Sequence, residues 1–353
     1  MTDELSDVRP EDRFDIAAVH TWLSHEILDL DGLPTVSQFR SGASNLTYLL
    51  KYSDRELVLR RPPTGNKAAS AHDMKREVHI QSSLHPVYPF VPRVLALCED
   101  LGVIGSEFYV MERIKGTILR RDVPSDAGLT CEKTKILGQS VIEGLAQLHQ
   151  VDPNILLEFN KGPGYVTRQV HGWSERYKRA LTDDVPTAEH LMSWLASHQP
   201  QDVATCVIHG DWRLDNMVFD ISQSPKLVGV LDWELATVGD PLMDLGSALA
   251  YWIDKDDEPE YAALRRQPSH LPGMPTRREF VERYLEITKL PCPDFTFYEV
   301  FGLFRLAVIL QQIWSRYRLG QTTNPAFAGF GSAIHVLTNR AIDLTRGEPL
   351  PTF

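Results

Sequence analysis

The segment VIHGDWRLDNMVFD, residues 207–220, constrains this chain more than any other stretch. An apolar run delivers His209-Gly210-Asp211, and Asn216 follows five residues after Asp211. A second apolar run, LVGVLDWE, carries Asp232 near its end, sixteen residues beyond Asn216. Short apolar runs of this kind read as strands, so two neighbouring strand ends are predicted to present an amide and a carboxylate. Such hard oxygen donors suit Mg²⁺, which keeps several waters and borrows phosphate oxygens. The further carboxylate, Asp211, is suited to taking a proton from an attacking hydroxyl. Taken one at a time, these residues also read as ordinary turn and cap chemistry.

Bulk properties narrow the classes. A length of 353 residues predicts about two domains or one large two-lobed unit. With 43% apolar and 24% charged residues the chain reads as folded rather than disordered or fibrous. Thirty-six Lys and Arg against 47 Asp and Glu leave a formal charge of −11. That is the wrong sign for coating nucleic acid or a membrane surface, so neither is an expected partner and any anionic ligand must be held by a local cluster. Cys98, Cys131, Cys206 and Cys292 form no CxxC pair, which argues against a zinc site or a disulfide framework and makes a reducing cytoplasm the expected location. The longest apolar stretch, Val300 to Leu310, carries Arg305 and falls short of the roughly 20 residues of a membrane span. The acidic N-terminus lacks the pattern of a signal peptide.

Periodicity divides the chain. Residues 1–14 read as a frayed tail, and Ile16, Val19, Leu23 and Ile27 mark one face of a helix. Tyr48 to Leu50 and Leu57 to Leu59, around the turn Ser53-Asp54-Arg55, predict a hairpin that Pro62-Pro63 ends. A helix over 71–84 and strands at Val94–Cys98 and Phe108–Met111 complete a small α+β lobe over 15–113. The remainder, 114–353, is expected to be mainly helical, interrupted by three short apolar runs between 205 and 231. Asp240-Pro241 reads as an N-cap with proline at the first helical position, and Thr276 with Glu279 as a capping box.

Kinases supply their base and metal ligands from an HxDxxxxN loop and a later aspartate after a strand. HGDWRLDN followed by LDWE resembles the aminoglycoside phosphotransferase and choline kinase family of protein-kinase-like small-molecule kinases. LRRPPTGNKAASAHDMKRE, GPGYVTRQVHGW and ATVGDPLMDLG look, more narrowly, like the phosphotransferase domains fused to or encoded with acyl-CoA dehydrogenases, over about residues 30–340. The resemblance implies an α+β, two-lobed fold with a small antiparallel sheet and a larger helical lobe. It also implies transfer of the γ-phosphoryl group of ATP, with Mg²⁺, to a small-molecule hydroxyl.

Carried over residue by residue, it implies that Asp211 is the catalytic base and that Asn216 and Asp232 are Mg²⁺ ligands. His209 and Asp244 would brace the loop, and Arg213 would help neutralise the transferred group. Gly42, Ser44 and Asn45, in FRSGASNLTYLL, would fold over the nucleotide phosphates, while backbone groups around Glu112, Arg113 and Ile114 would meet the adenine. Glu77 would anchor the phosphate-binding cation. Where that cation is usually lysine, this chain has Arg60, which keeps the charge and can bind phosphate bidentately. Strand alternation sends Arg60 and Arg61 to opposite faces.

Segment 162–179 carries Arg168, Arg176, Lys178 and Arg179 against the single acid Glu175, with Tyr165, Trp173 and Tyr177 interleaved. It reads either as a site for a phosphate- or carboxylate-bearing acceptor, with Arg168 and Trp173 as candidate contacts, or as a basic amphipathic helix. Its charge argues against polycationic aminoglycosides as acceptors. The association of the family with acyl-CoA dehydrogenases implies a functional link to such an enzyme and a hydroxylated acyl or acyl-CoA acceptor. Two other readings stay open: a nucleotide-binding pseudokinase, motivated by Arg60, and a metal-dependent hydrolase using His209, Asp211 and Asp232.

Overall fold

A computed structural model describes residues 5–39, 45–63, 73–123, 128–292 and 294–347. Its contacts group the chain into two compact units, Met1–Ile118 with Asn216–Leu235, and Leu119–Asp215 with Ala236–Phe353.

The first unit is organised by period-two alternation. Its elements are β1 (Leu5–Ser6), α1 (Ile16–Glu26), β2 (Thr35–Phe39), β3 (Leu46–Lys51), β4 (Glu56–Arg61), α2 (Met74–Leu84), β5 (Val94–Cys98), α3 (Leu101–Ile104), β6 (Phe108–Glu112) and β7 (Thr117–Ile118). Six of these strands form an antiparallel sheet in the order β1-β2-β3-β4-β6-β5. Leu57 and Leu59 of β4 enter one core cluster with Val19 and Leu23 of α1, whereas Val58 enters another with Met74, Tyr109 and Met111. Burying each such side chain fully contributes roughly 1.5–3 kcal/mol. The predicted hairpin is present, and β4 stops immediately before Pro62, which has no N–H to offer a ladder.

Residues 5–14, expected as a frayed tail, are instead part of the fold. Leu5 and Ser6 pair with Phe39 and Gln38, and Asp12 is buried, accepting a hydrogen bond of 2.9 Å from Gln38 Nε2. A tail that completes a sheet edge gains partners for backbone groups that would otherwise face solvent.

The second unit begins with α4 (Cys131–His149), α5 (Tyr165–Ala180), α6 (Glu189–Ser197) and β8 (Cys206–Ile208). The chain then returns to the first unit for β9 (Met217–Asp220) and β10 (Lys226–Val230). Both lie within 114–353, the stretch expected to form the larger, mainly helical lobe. Here β9 pairs with β7, the Val230 N–H donates to the Phe90 carbonyl at 2.7 Å, and buried Trp233 meets the Tyr88 ring edge-on at 6.0 Å. Long-range pairing of this kind leaves no local signature.

The second unit resumes with β11 (Thr237–Gly239), which pairs with β8, and continues through α7 (Pro241–Leu249), α8 (Pro259–Ala262), α9 (Arg277–Thr288), α10 (Thr296–Arg318) and α11 (Phe330–Arg346). Asp240 caps α7 by accepting from the amides of Leu242 and Met243, and the capping box of Thr276 and Glu279 opens α9. By length and composition α10 is apolar enough to cross a membrane, but 67% of that window is buried against the rest of the chain. It is a core helix of this unit.

Candidate functional site

In the first unit, the adjacent arginines of β4 do point to opposite faces. Arg61 turns into the α1 side, donating to Tyr48 Oη at 3.1 Å and to the Asp12 carbonyl at 2.7 Å, with its guanidinium over the Phe14 and Tyr48 rings. Arg60 faces α2. Its Nη2 donates to Asp232 Oδ1 at 2.6 Å and to Glu234 Oε2 at 3.3 Å, and its Nε lies 3.4 Å from Glu77 Oε2.

Glu77 sits on α2 with its side chain 2% exposed, so the expected pairing with the β4 cation is present. Burial pushes its carboxyl above the ordinary carboxylate range, against the pull of Arg60. Burial also opposes the charge on Arg60, yet Glu77, the Tyr109 phenol and Asp232 hold its pKa above the ordinary guanidinium value. A buried charge survives only with such partners.

Asn216 and Asp232 share one end of the β9–β10 hairpin. Val230 pairs with Met217, and the Leu231 N–H donates to the Asn216 carbonyl at 2.8 Å. Asp232 has a φ of 65°, in the left-handed region that an aspartate tolerates better than most side chains. Backbone held there marks a position whose surroundings over-determine it. Glu234, which the sequence reading did not single out, joins the same cluster. Its carboxylate accepts from Asn45 Nδ2 at 3.2 Å and its carbonyl from Arg76 Nη1 at 2.6 Å.

Gly42 and Ser44 lie outside the described residues. At the end of β6 the Glu112 N–H is taken by the Arg93 carbonyl at 2.9 Å, and in the connector that follows Arg113 pairs with Glu56 at 2.9 Å. Ile114 packs on Gly229, where an added Cβ would stand 2.6 Å from Ile114 Cδ1.

In the second unit, β8 delivers the HGD segment and Asp244 of α7 holds it. The Asp244 carboxylate accepts from the His209 and Gly210 amides at 2.9 Å each, and from His149 Nε2 at 3.2 Å. An acceptor-only carboxylate makes His149 Nε2 the donor, while Nδ1 lies 2.6 Å from Tyr284 Oη, a hydroxyl able to donate to it or to accept from it. His209 is fully buried, and its Nδ1 accepts from the Asp211 amide at 3.2 Å. The ring thus props the backbone of the residue expected to act as base.

Arg213 Nε lies 3.1 Å from Asp211 Oδ1 and 3.3 Å from Asp215 Oδ1, with its guanidinium 4.8 Å from the Tyr251 ring centroid. Burial raises the Asp215 pKa, Arg213 opposing and Asp211 adding to the rise. The Tyr251 phenol is also pushed up, by burial and then by Asp211. Asp211 therefore sits among a cation, a second carboxylate and a phenol.

The two acceptor candidates fare differently. The Arg168 guanidinium donates to the Gly162 carbonyl at 2.7 Å and to the Pro163 carbonyl, so it clasps the turn before α5. Trp173 is half-buried, with Arg176 at 4.6 Å and Arg305 at 5.1 Å from its ring centroid. Arg305, which the sequence reading noted only as a charge inside an apolar run, is buried and donates to the Gly210 carbonyl at 2.6 Å. A lone charge in a core helix calls for a specific partner, and that signal was available.

Among the described residues no three His, Cys, Asp or Glu side chains converge as a metal-holding group. The metal-dependent hydrolase alternative would draw on such a group if its metal were zinc, whereas Mg²⁺ needs only one or two protein oxygens.

A model of the phosphotransferase enzyme family matches residues 35–280. Acyl-CoA dehydrogenase family member 10 of Mus musculus is 36% identical over 320 residues, covering 90% of this chain and 30% of that protein. Family member 11 of Homo sapiens is 32% identical over 357 residues, covering 97% of this chain and 44% of that protein. The chain thus spans less than half the length of these curated relatives. A protein of Ralstonia eutropha JMP134, solved as a candidate aminoglycoside phosphotransferase, superposes with a TM-score of 0.80 at 29% identity, over 95% of this chain and 99% of that one. Aminoglycoside phosphotransferase APH(4)-Ia, in a ternary complex with AMP-PNP and hygromycin B, shares the fold alone, with a TM-score of 0.60 at 15% identity over 94% and 100% of the two chains. The family match covers more than half of the chain and takes in Arg60, Asp211, Asp232 and Asp244. The chain therefore belongs to the phosphotransferase enzyme family, whose kinase-like fold supports small-molecule kinase activity in general.

Proposed function

We propose that this chain transfers the γ-phosphoryl group of ATP, with Mg²⁺, to a hydroxyl of a small metabolite. The observation that carries the reading is the hairpin end that brings Asn216 together with Asp232, whose carboxylate lies 2.6 Å from Arg60. An amide and a carboxylate are the hard oxygen donors that Mg²⁺ takes, and a guanidinium suits phosphate oxygens. Among the described residues, Arg60 Nε has an ion-pair neighbour but no hydrogen-bond partner, which leaves a donor for such an oxygen. The residues fit Mg·ATP.

In this reading Asn216 and Asp232 hold the metal, and Glu77 keeps Arg60 aimed at phosphate. When bound, Mg²⁺ neutralises phosphate charge. Asp211 accepts the proton of the acceptor hydroxyl, and Arg213 orients it. His209 and Asp244 fix the loop so that little reorganisation is needed when charge develops. The AMP-PNP complex of APH(4)-Ia supports ATP as the donor. Likeness to acyl-CoA dehydrogenase family members supports a hydroxylated acyl or acyl-CoA acceptor and a functional link to such a dehydrogenase. Four free cysteines support a reducing location such as the cytoplasm.

A pseudokinase is the second reading, favoured by arginine in the lysine position and its pairing with Asp232. Two variants separate the readings. Asp211→Asn is expected to keep Mg·ATP binding while turnover falls by orders of magnitude, and Asp232→Asn to weaken Mg·ATP binding itself. Turnover of Asp211→Asn equal to the parent would remove the proposed base, and Mg-dependent ATP binding without any phosphorylated product would favour the pseudokinase.

A further inference from the structure

We infer that the second unit carries an oxyanion-binding subsite for the acceptor, built by Arg176 and Arg305 around Trp173. Its part in phosphotransfer rests on the reading above, while the binding it predicts does not.

Helix α5 lines an open groove of about 400 Å³ with His171, Gly172, Glu175, Arg176 and Arg179. Arg305 of helix α10 is not part of that lining, but its guanidinium lies 5.1 Å from the Trp173 ring centroid, where that of Arg176 lies at 4.6 Å. That ring is itself fixed, since its Nε1 donates to Gln169 Oε1 at 3.0 Å. Among the described residues, neither Arg176 nor Arg305 has a carboxylate within ion-pair distance. Glu175, the acid beside them, is engaged by Lys178 at 3.0 Å. Burial lowers the Arg176 pKa, and Arg179 and Arg305 lower it further, with no acid among the causes.

Arg305 is buried with no counter-charge within ion-pair distance among the described residues, which is unfavourable by itself, whereas Arg176 is exposed and reaches solvent. In a chain of net charge −11, the one acid lining this groove, Glu175, pairs with Lys178 and with neither arginine. An oxyanion supplied by a ligand removes the cost. Arg305 spends one donor on the Gly210 carbonyl and Arg176 spends none on a described residue, so a planar carboxylate or a phosphate finds several N–H groups.

The location assigns the ligand to the acceptor. Arg305 holds the carbonyl of the residue directly before Asp211, and the Tyr251 phenol senses Asp211, Arg213 and Arg305 together. A molecule whose oxyanion meets Arg176 and Arg305 therefore has its remaining groups beside the proposed base. The ligand class is an alcohol bearing a carboxylate or a phosphate, with the Trp173 ring against its apolar part.

Calorimetric titration of the whole chain without nucleotide, using lactate and glycerol phosphate beside the uncharged lactamide and glycerol, tests this. At least one anion is expected to bind saturably, about tenfold or more tightly than its neutral counterpart, with Arg176→Gln losing about tenfold or more. Arg176→Lys should lose less, and Arg283→Gln, at an exposed arginine elsewhere in the unit, should bind like the parent. The anion should also change tryptophan fluorescence in the parent but not in Trp173→Phe. Which anion binds identifies the group recognised. Absence of binding by both anions, equal binding of the neutral compounds, or unchanged binding in a folded Arg176→Gln protein overturns the inference. Because binding is read without turnover, Arg176-dependent binding in a chain that phosphorylates nothing refutes the kinase reading alone. Equal phosphorylation of neutral and anionic alcohols refutes the subsite alone.

Discussion

Asp244 takes hydrogen bonds from two loop amides and one imidazole, and it is nearly inaccessible to solvent. Burial would raise its pKa, but the hydrogen bond and charge of His149, with His209, bring it below the ordinary value of 3.8. A depressed carboxylate pKa means that the folded state binds fewer protons than the unfolded one. Its stabilisation is therefore complete above pH 3.8 and is lost as pH falls through the lower folded value. Thermal melting of the parent should accordingly drop more steeply below pH 3.8 than that of Asp244→Asn. At neutral pH Asp244→Ala should lose about 1–3 kcal/mol for each buried donor left unpaired. Unchanged melting would contradict the bracing role. Removing Arg60 would strand Glu77 as a buried charge, so Arg60→Ala is expected to cost about 3–5 kcal/mol by denaturant titration. At this scale the candidates Asp211, Asn216 and Asp232 could be named from the sequence because the proposed chemistry demands particular side chains at set spacing. Glu234 was not, because it acts through Arg60, far along the chain, and for Arg305 the lone charge in an apolar run was legible but its partner, Gly210, was not.

Helices α7 and α10 meet through glycines. A Cβ on Gly246 would stand 2.2 Å from the Tyr298 carbonyl oxygen, and one on Gly302 would stand 2.0 Å from that of Gly246. Both contacts are with backbone, so the helices would have to separate. Since α7 carries Asp244 and α10 carries Arg305, Gly302→Ala should cost about 1–3 kcal/mol and also lower turnover, as read by melting and by assay. A stable, fully active Gly302→Ala would show that the spacing does not matter to the loop. Elements with local signals were legible: the β3–β4 hairpin, the Asp240 cap and the Thr276–Glu279 box. Leu5–Ser6 was not, because two residues become a strand only by pairing with Phe39 and Gln38, more than thirty residues on.

For the whole molecule, two units share one chain that leaves the first unit, returns for Asn216–Leu235 and leaves again. Only four residues lie between Asp211, in the second unit, and Asn216, in the first. That division was legible as a count of two but not in its boundaries, since β9 belongs with the first unit through β7 and not through its sequence neighbours. The acidity of the chain likewise resolves into local roles, with Asp232 and Glu234 facing Arg60 and Asp211 facing Arg213. The most direct test of the proposed activity is incubation of the parent and Asp211→Asn with ATP, Mg²⁺ and pools of hydroxylated metabolites, including hydroxyacyl-CoAs, followed by mass detection of added phosphate. A metabolite that gains phosphate with the parent and not with Asp211→Asn is the predicted result. ATP binding that depends on Mg²⁺, with no phosphorylated metabolite from the parent in any pool, would contradict it.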